Sequence, residues 1–65
     1  MVADVRGLSP RRQQIMEMVC QGLTDKEIAT QLGLAVSTIK NTLVGVYQIL
    51  GARNRAHAAV LFVRG

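Results

Sequence analysis

The sequence predicts an all-α domain of four short helices. Three observations carry the prediction. Apolar residues recur at three- and four-residue steps through most of the chain. Helix-starting and helix-ending residues punctuate those segments, with Gly22, Gly33 and Gly51 as the stops. No segment alternates apolar and polar residues between turns, as a strand would.

The first helix is expected to start at Ser9-Pro10 and run to about Gln21. Ser9 can accept from free backbone N–H groups, and Pro10 suits the first helical position, where its missing N–H costs nothing. Ile15, Met16, Val19 and Leu23 mark one buried face. Gly22 stands where the chain needs a left-handed residue to leave the helix. Residues 1–7 are expected to be a flexible leader, or the cut end of a longer protein, with the folded domain over 8–65. The second helix opens at Thr24. Thr24 and Glu27 have capping-box spacing, and Asp25 suits the positive helix end. Ile28, Ala29 and Leu32 point inward, Gly33 stops the helix, and Leu34 to Val36 form a turn. The third helix spans about 36–50. At ~100° per residue, Ile39, Leu43, Val46 and Leu50 fall in one narrow core sector. Ser37, Asn41, Val44 and Gln48 face the opposite way, with Gly45 towards one side. Lys40 and Tyr47 flank this face on one edge; Thr38, Thr42 and Ile49 flank it on the other.

Gly51 ends the third helix, and Asn54 can cap a fourth from Arg55 to about Arg64. That helix is apolar on two sides. Ala58, Leu61 and Phe62 make one stripe; Ala56, Val60 and Val63, with Ala59 beside them, make another. A domain this small has one core to bury them in. The second stripe therefore asks for a partner, most simply an identical chain.

Composition narrows the function. A chain of 65 residues makes one domain, and its net charge of +4 favours an anionic partner, with nucleic acid the leading candidate. With one cysteine there is no internal disulfide, and no cluster of ligand type predicts a metal. No apolar run approaches the ~20 residues of a membrane span, and none has the character of a signal peptide. A cytoplasmic protein without a cofactor or membrane partner is expected. An enzyme is not: the sequence holds no nucleophile–base pair, carboxylate dyad or phosphate loop.

Ala29, Gly33 and Ile39 have the spacing of a helix-turn-helix. A small residue lets the two helices approach, a glycine makes the turn, and an apolar anchor fixes the second helix on the first. In such units the second helix enters the major groove, its N-terminal half nearest the bases. The wider pattern is more specific. It comprises Leu8 to Arg11, Gly22-Leu23-Thr24, Lys26 to Ala29, Leu32-Gly33, Ser37 to Asn41, Leu50-Gly51, Arg53 and Arg55. With these residues the chain, from Leu8 to Val63, resembles the LuxR-type (GerE-type) helix-turn-helix family of bacterial transcription regulators. The resemblance implies a four-helix domain whose third helix binds double-stranded DNA and whose fourth often mediates dimerisation. It implies that Lys40, Asn41 and Val44 approach bases, while Thr24, Lys26 and Thr38 hold phosphates.

The chain departs from the family pattern where charge matters most. Thr42 stands in place of a usual His and Ile49 in place of a usual Lys. Val44 and Gln48 occupy positions that are often basic or polar. Ala35 replaces the capping Ser or Thr, Asp25 a common Asn, and Arg12 and Gln14 the usual Glu. Lys40 is left as the third helix's one cation, and positive charge gathers instead at Arg11, Arg12, Lys26, Arg53 and Arg55.

Individual residues carry competing readings. Lys40 is expected at a base or phosphate rather than idle in solvent. Asn41 can pair with adenine, or be an indifferent polar residue; Val44 can touch a thymine methyl, or belong to a protein-binding patch. Ser37 shares their face, and Gln48 is read as a phosphate or water contact. Arg53 and Arg55 are read as phosphate clamps, with bonds to helix-end carbonyls near Leu50 as the alternative. Gly45 permits a close approach or marks a tolerant surface position. Cys20 is expected to pack near the core, and His57 to lie on the surface. The dimer face is expected at Ala56, Ala59, Val60 and Val63. Two functions follow: a dimeric DNA-binding transcription regulator, or a LuxR-like module that pairs with another regulator of this type through its fourth helix or its Val44/Gly45/Ile49 surface.

Overall fold

A computed structural model describes residues 7–64. Residues 1–6 of the expected leader, and Gly65, lie outside the described residues. The four helices are α1 (Pro10–Cys20), α2 (Asp25–Leu32), α3 (Val36–Leu50) and α4 (Arg55–Arg64), and no strand occurs among the described residues. The order and the class are those the sequence predicts.

The helix ends follow from local chemistry. Ser9 Oγ accepts from the N–H of Arg12 at 3.3 Å, and the Gln13 side chain donates back to the Leu8 carbonyl at 3.2 Å. The capping box of α2 is complete: Thr24 Oγ1 accepts from the Glu27 N–H at 3.2 Å, and Glu27 Oε1 accepts from the Thr24 N–H at 2.8 Å. Asn54 Oδ1 caps α4 by accepting from the His57 N–H at 2.8 Å, and His57 Nδ1 accepts from the Arg53 N–H at 3.0 Å. His57 thus closes the start of α4 much as Glu27 closes that of α2, but through the residue before the capping Asn54. It is half-buried, not the free surface histidine expected from its position. Ala35, which precedes α3, gives it no side-chain cap, as the replacement of the usual Ser or Thr implies.

Between α2 and α3 the chain must reverse within a few residues. Gly33 takes φ +69°, and the Leu34 N–H reaches back to the Ala29 carbonyl at 2.9 Å. Glycine reaches this left-handed region without the Cβ clash that penalises other residues.

The core is one cluster. Ile15, Met16, Ile28, Ile39, Val46 and Ala58 are fully buried, and Ala29, Leu43 and Leu50 nearly so. Ala29 brings α2 close to α3, and Ile39 anchors α3 among the other helices. Leu8 is also fully buried. It precedes α1 and belongs to no periodic stripe, so the pattern of spacings did not mark it as core. On α4, Ala58 is buried, with Leu61 and Phe62 half-buried against the core; this is the inward stripe expected.

Cys20 departs from expectation: it is exposed. As the last residue of α1 it falls outside the buried face set by Ile15, Met16 and Val19, and it looks towards the outer side of α4. Partial burial raises the thiol pKa above its usual value, and the Glu17 carboxylate raises it further. Cys20 is therefore a weak nucleophile at neutral pH.

Candidate nucleic-acid interface

α3 is buried along Ile39, Leu43, Val46 and Leu50 and exposes the opposite row, Ser37, Asn41, Val44 and Gln48. The row follows from 3.6-residue periodicity and stands free of the other helices. Val44 is 54% exposed, unusually open for an aliphatic residue. Thr38, on the flank of the row, is also exposed.

One edge of the row opens into a groove. Thr24, Asp25 and Lys26 from the start of α2 line it, with Val36 and Lys40 from the start of α3 and Arg55 from the start of α4. Three helix N-termini therefore meet at one place. Each carries a partial positive charge from aligned peptide dipoles, which adds to Lys26 and Lys40. Lys26 and Lys40 belong to different helices, and their convergence is a product of the helix-turn-helix crossing. Val36 is the first residue of α3, as the expected span of 36–50 has it, and is 37% exposed on the groove wall.

Arg55 is committed inside the fold. Its Nη1 donates to Asp25 Oδ1 at 2.5 Å and its Nη2 to the Leu23 carbonyl at 2.8 Å. The helix-end carbonyl it bonds is that of the α1–α2 turn, not that of Leu50. The guanidinium thus ties the start of α4 to the start of α2. Arg53 exposes its side chain, and only its backbone N–H takes part in the α4 cap.

The other edge of the α3 row meets α1. The Nη2 of Arg12 lies 3.6 Å from where a Cβ on Gly45 would stand. Gly45 thus underlies a cation contributed by another helix, at a position where α3 has none of its own. Among the described residues Arg12 pairs with no carboxylate. Ile49, 42% exposed, lies beyond Gly45 on this edge and next to Gly7. Five residues apart at ~100° each, Val44 and Ile49 point about 140° apart around α3 and do not share one stripe. An alanine at position 45 would touch only the mobile end of Arg12. Gly45→Ala is expected to stabilise the domain by about 0.5–1 kcal/mol through helix propensity, read as a higher midpoint in a thermal melt. A lower midpoint would show that α1 and α3 need the glycine for packing.

The second surface lies on α4. Val60 is 49% and Val63 73% exposed, Ala56 is exposed and Ala59 half-buried. Cys20 and Arg64 border the groove formed by Ala59, Val60 and Val63. The outer stripe is present as the sequence predicts, and it has no cover among the described residues.

A tight turn, an anchored second helix with a free outer row, and cations gathered beside it define a helix-turn-helix module of the DNA-binding class. The model of "Bacterial regulatory proteins, luxR family" (GerE) matches residues 6–62. The chain is 33% identical over 57 residues to the spore germination protein GerE of Bacillus subtilis (strain 168), covering 88% of this chain and 77% of that protein. It is 35% identical over 57 residues to the nitrate/nitrite response regulator protein NarL of Escherichia coli (strain K12), covering 88% of this chain and 26% of NarL. Among solved structures, the response regulator ChrA of a heme-sensing two-component system superposes with a TM-score of 0.86 at 31% identity, over 95% of this chain and 31% of ChrA. The chain belongs to the luxR family of bacterial regulatory proteins and carries its transcription-regulator fold. It spans less than a third of the length of the first relatives it matches.

Proposed function

We propose that this chain is the DNA-binding part of a transcription regulator, that α3 lies in the major groove of double-stranded DNA, and that two copies pair through α4. The observation that carries the reading is the free row Ser37, Asn41, Val44 and Gln48, bordered by the groove that holds Lys26 and Lys40. In this reading Asn41 and Val44 meet base edges, Asn41 by a bidentate bond to adenine and Val44 at a thymine methyl. Lys40 reaches a base or a phosphate from the first turns of the helix. Thr24, Lys26, Ser37 and Thr38 flank one strand, and Gln48, Arg53 and Arg12 hold the backbone further along. Arg55 serves by fixing the groove wall. The chain acts in the cytoplasm and performs no catalysis.

The grip comes from few cations, so salt dependence is shallow. The log–log slope of affinity against salt falls by about 0.9 for each neutralised phosphate. With Lys26, Lys40, Arg53 and Arg12 as the contributing cations, a slope of roughly −3 to −4 per subunit is expected. Selection from a random duplex pool, followed by anisotropy titrations at several salt concentrations, tests the reading. Enrichment of a repeated half-site supports it; no saturable duplex binding at low salt overturns it.

The exposed α4 stripe carries the dimer. Val60→Glu places a charge in the middle of Ala56, Ala59 and Val63 and adds no buried charge within the monomer. It is expected to shift a dimer to monomer in sedimentation equilibrium at unchanged helicity. Binding to a two-half-site duplex then falls at least tenfold, as avidity is lost. A mutant that sediments like the parent removes this stripe from the interface.

The exposure of Val44 and Ile49 favours a second reading, an interaction module that occupies another regulator. Val44 and Ile49 are about 140° apart around α3, so this reading rests mainly on pairing through α4 with another LuxR-type chain. Co-purification with such a regulator, with no preference among duplex sequences, would support it over the first.

A further inference from the structure

Asp25 is the acid on the wall of the groove where the N-termini of α2, α3 and α4 meet, among Lys26, Lys40 and Arg55. The other acid of the α2 start, Glu27, is bound to the Thr24 N–H in the capping box. The Arg55 guanidinium has two acceptors, the Asp25 carboxylate and the Leu23 carbonyl. The carbonyl bond positions Arg55 without any help from charge, and an amide oxygen at position 25 would accept the other hydrogen bond. What the carboxylate alone supplies is a negative charge that cancels that of Arg55. The pair is part-buried on the groove wall, with side-chain exposures of 38% for Arg55 and 21% for Asp25. The pair ties α4 to α2, and the same carboxylate charge also bears on any anion in the groove.

We infer that Asp25 limits the affinity of the groove for the DNA backbone, by neutralising Arg55 beside Lys26 and Lys40. The inference rests on the DNA-binding reading above and deepens it. Phosphate attraction is common to all sequences and supplies nearly all non-specific binding. A chain with an uncancelled Arg55 would hold any duplex more tightly. With Asp25 in place, the outcome depends more on what α3 meets in the major groove.

The experiment is a charge cycle. The parent chain, Asp25→Asn, Arg55→Gln and the double variant are each titrated against a labelled random-sequence duplex across a salt series, with helicity and thermal midpoint measured alongside. Asp25→Asn is expected to bind about three- to tenfold tighter at low salt, with a slope steeper by about 0.9 per chain. Arg55→Gln uncovers the carboxylate and binds more weakly. The double variant restores the parent's local charge and returns to within about twofold of its affinity. If Asp25→Asn keeps the parent's affinity and slope while its midpoint falls, the pair is only a clamp between α2 and α4, and the inference is overturned. If Arg55→Gln does not fold, Asp25→Asn against the parent decides alone. A parent chain that does not bind the duplex sinks the DNA reading and this inference together; a parent that binds with Asp25→Asn unchanged sinks only this one.

Discussion

Ile39→Ala is expected to remove most of the domain's stability. Ile39 is fully buried on the core face of α3, in the same cluster as Ile15, Met16, Ile28 and Val46. Truncating a buried isoleucine costs about 2–5 kcal/mol, part lost transfer energy and part cavity. A single domain holds about 0.05–0.15 kcal/mol per residue in total, so a chain of 65 residues has little in reserve. The core cannot close around the gap easily, because the helices beside Ile39 are pinned by the Thr24–Glu27 box and the Gly33 turn. The thermal midpoint is expected to fall by about 10–30 °C, read by far-ultraviolet circular dichroism. Ile39→Val, which removes one methyl group, should cost only about 0.5–1.5 kcal/mol. A fall of less than about 5 °C for the alanine variant would show that Ile39 is not the anchor between α2 and α3.

What the sequence discloses here is what neighbouring residues decide among themselves. The bounds of α3, its core row and its outer row follow from periodicity, and the capping box of α2 from a spacing of three residues. The stops at Gly33 and Gly51 are likewise local, since each takes positive φ to release its chain. Features set by how the helices cross were not legible. Arg55 and Asp25 are 30 positions apart, and nothing in either neighbourhood announces that they pair. The meeting of three helix starts in one groove depends on crossing angles, which periodicity does not encode. Leu8 is buried without belonging to a stripe, because it precedes α1 and so lies outside that helix's repeat. Cys20 erred in the opposite direction: a small apolar residue at a helix end looks like core, yet the buried face of α1 stops at Val19. The placement of Arg12 over Gly45 needed both helices. The sequence offered one clue to it, a missing side chain on α3 and an additional cation on α1, but gave no reason to join them.

Lys40→Ala is expected to produce the largest loss of DNA binding of any single surface change. Lys40 is the lone cation of α3, lies in its first turns, and shares the groove wall with Lys26 from α2. Its side chain is exposed and bonded to no carboxylate among the described residues, so its removal leaves the fold and the thermal midpoint unchanged. The manner of the loss separates two roles. A phosphate contact weakens all sequences alike and makes the salt slope shallower by about 0.9. A base contact costs about 1–3 kcal/mol, or roughly fivefold to more than a hundredfold, on the preferred sequence and relaxes the choice at one position. Lys26→Ala is the internal comparison. It lies on the same groove but on α2, off the outer row, and should show only the phosphate pattern. If both variants weaken all duplexes equally, specificity lies with Asn41 and Val44, which carry no charge. If Lys40→Ala alone relaxes one base position, the shortage of charge on α3 has concentrated direct readout in its first turns. Unchanged affinity in both variants would leave the groove without a role in binding, and the case for DNA would then depend on the outer row alone.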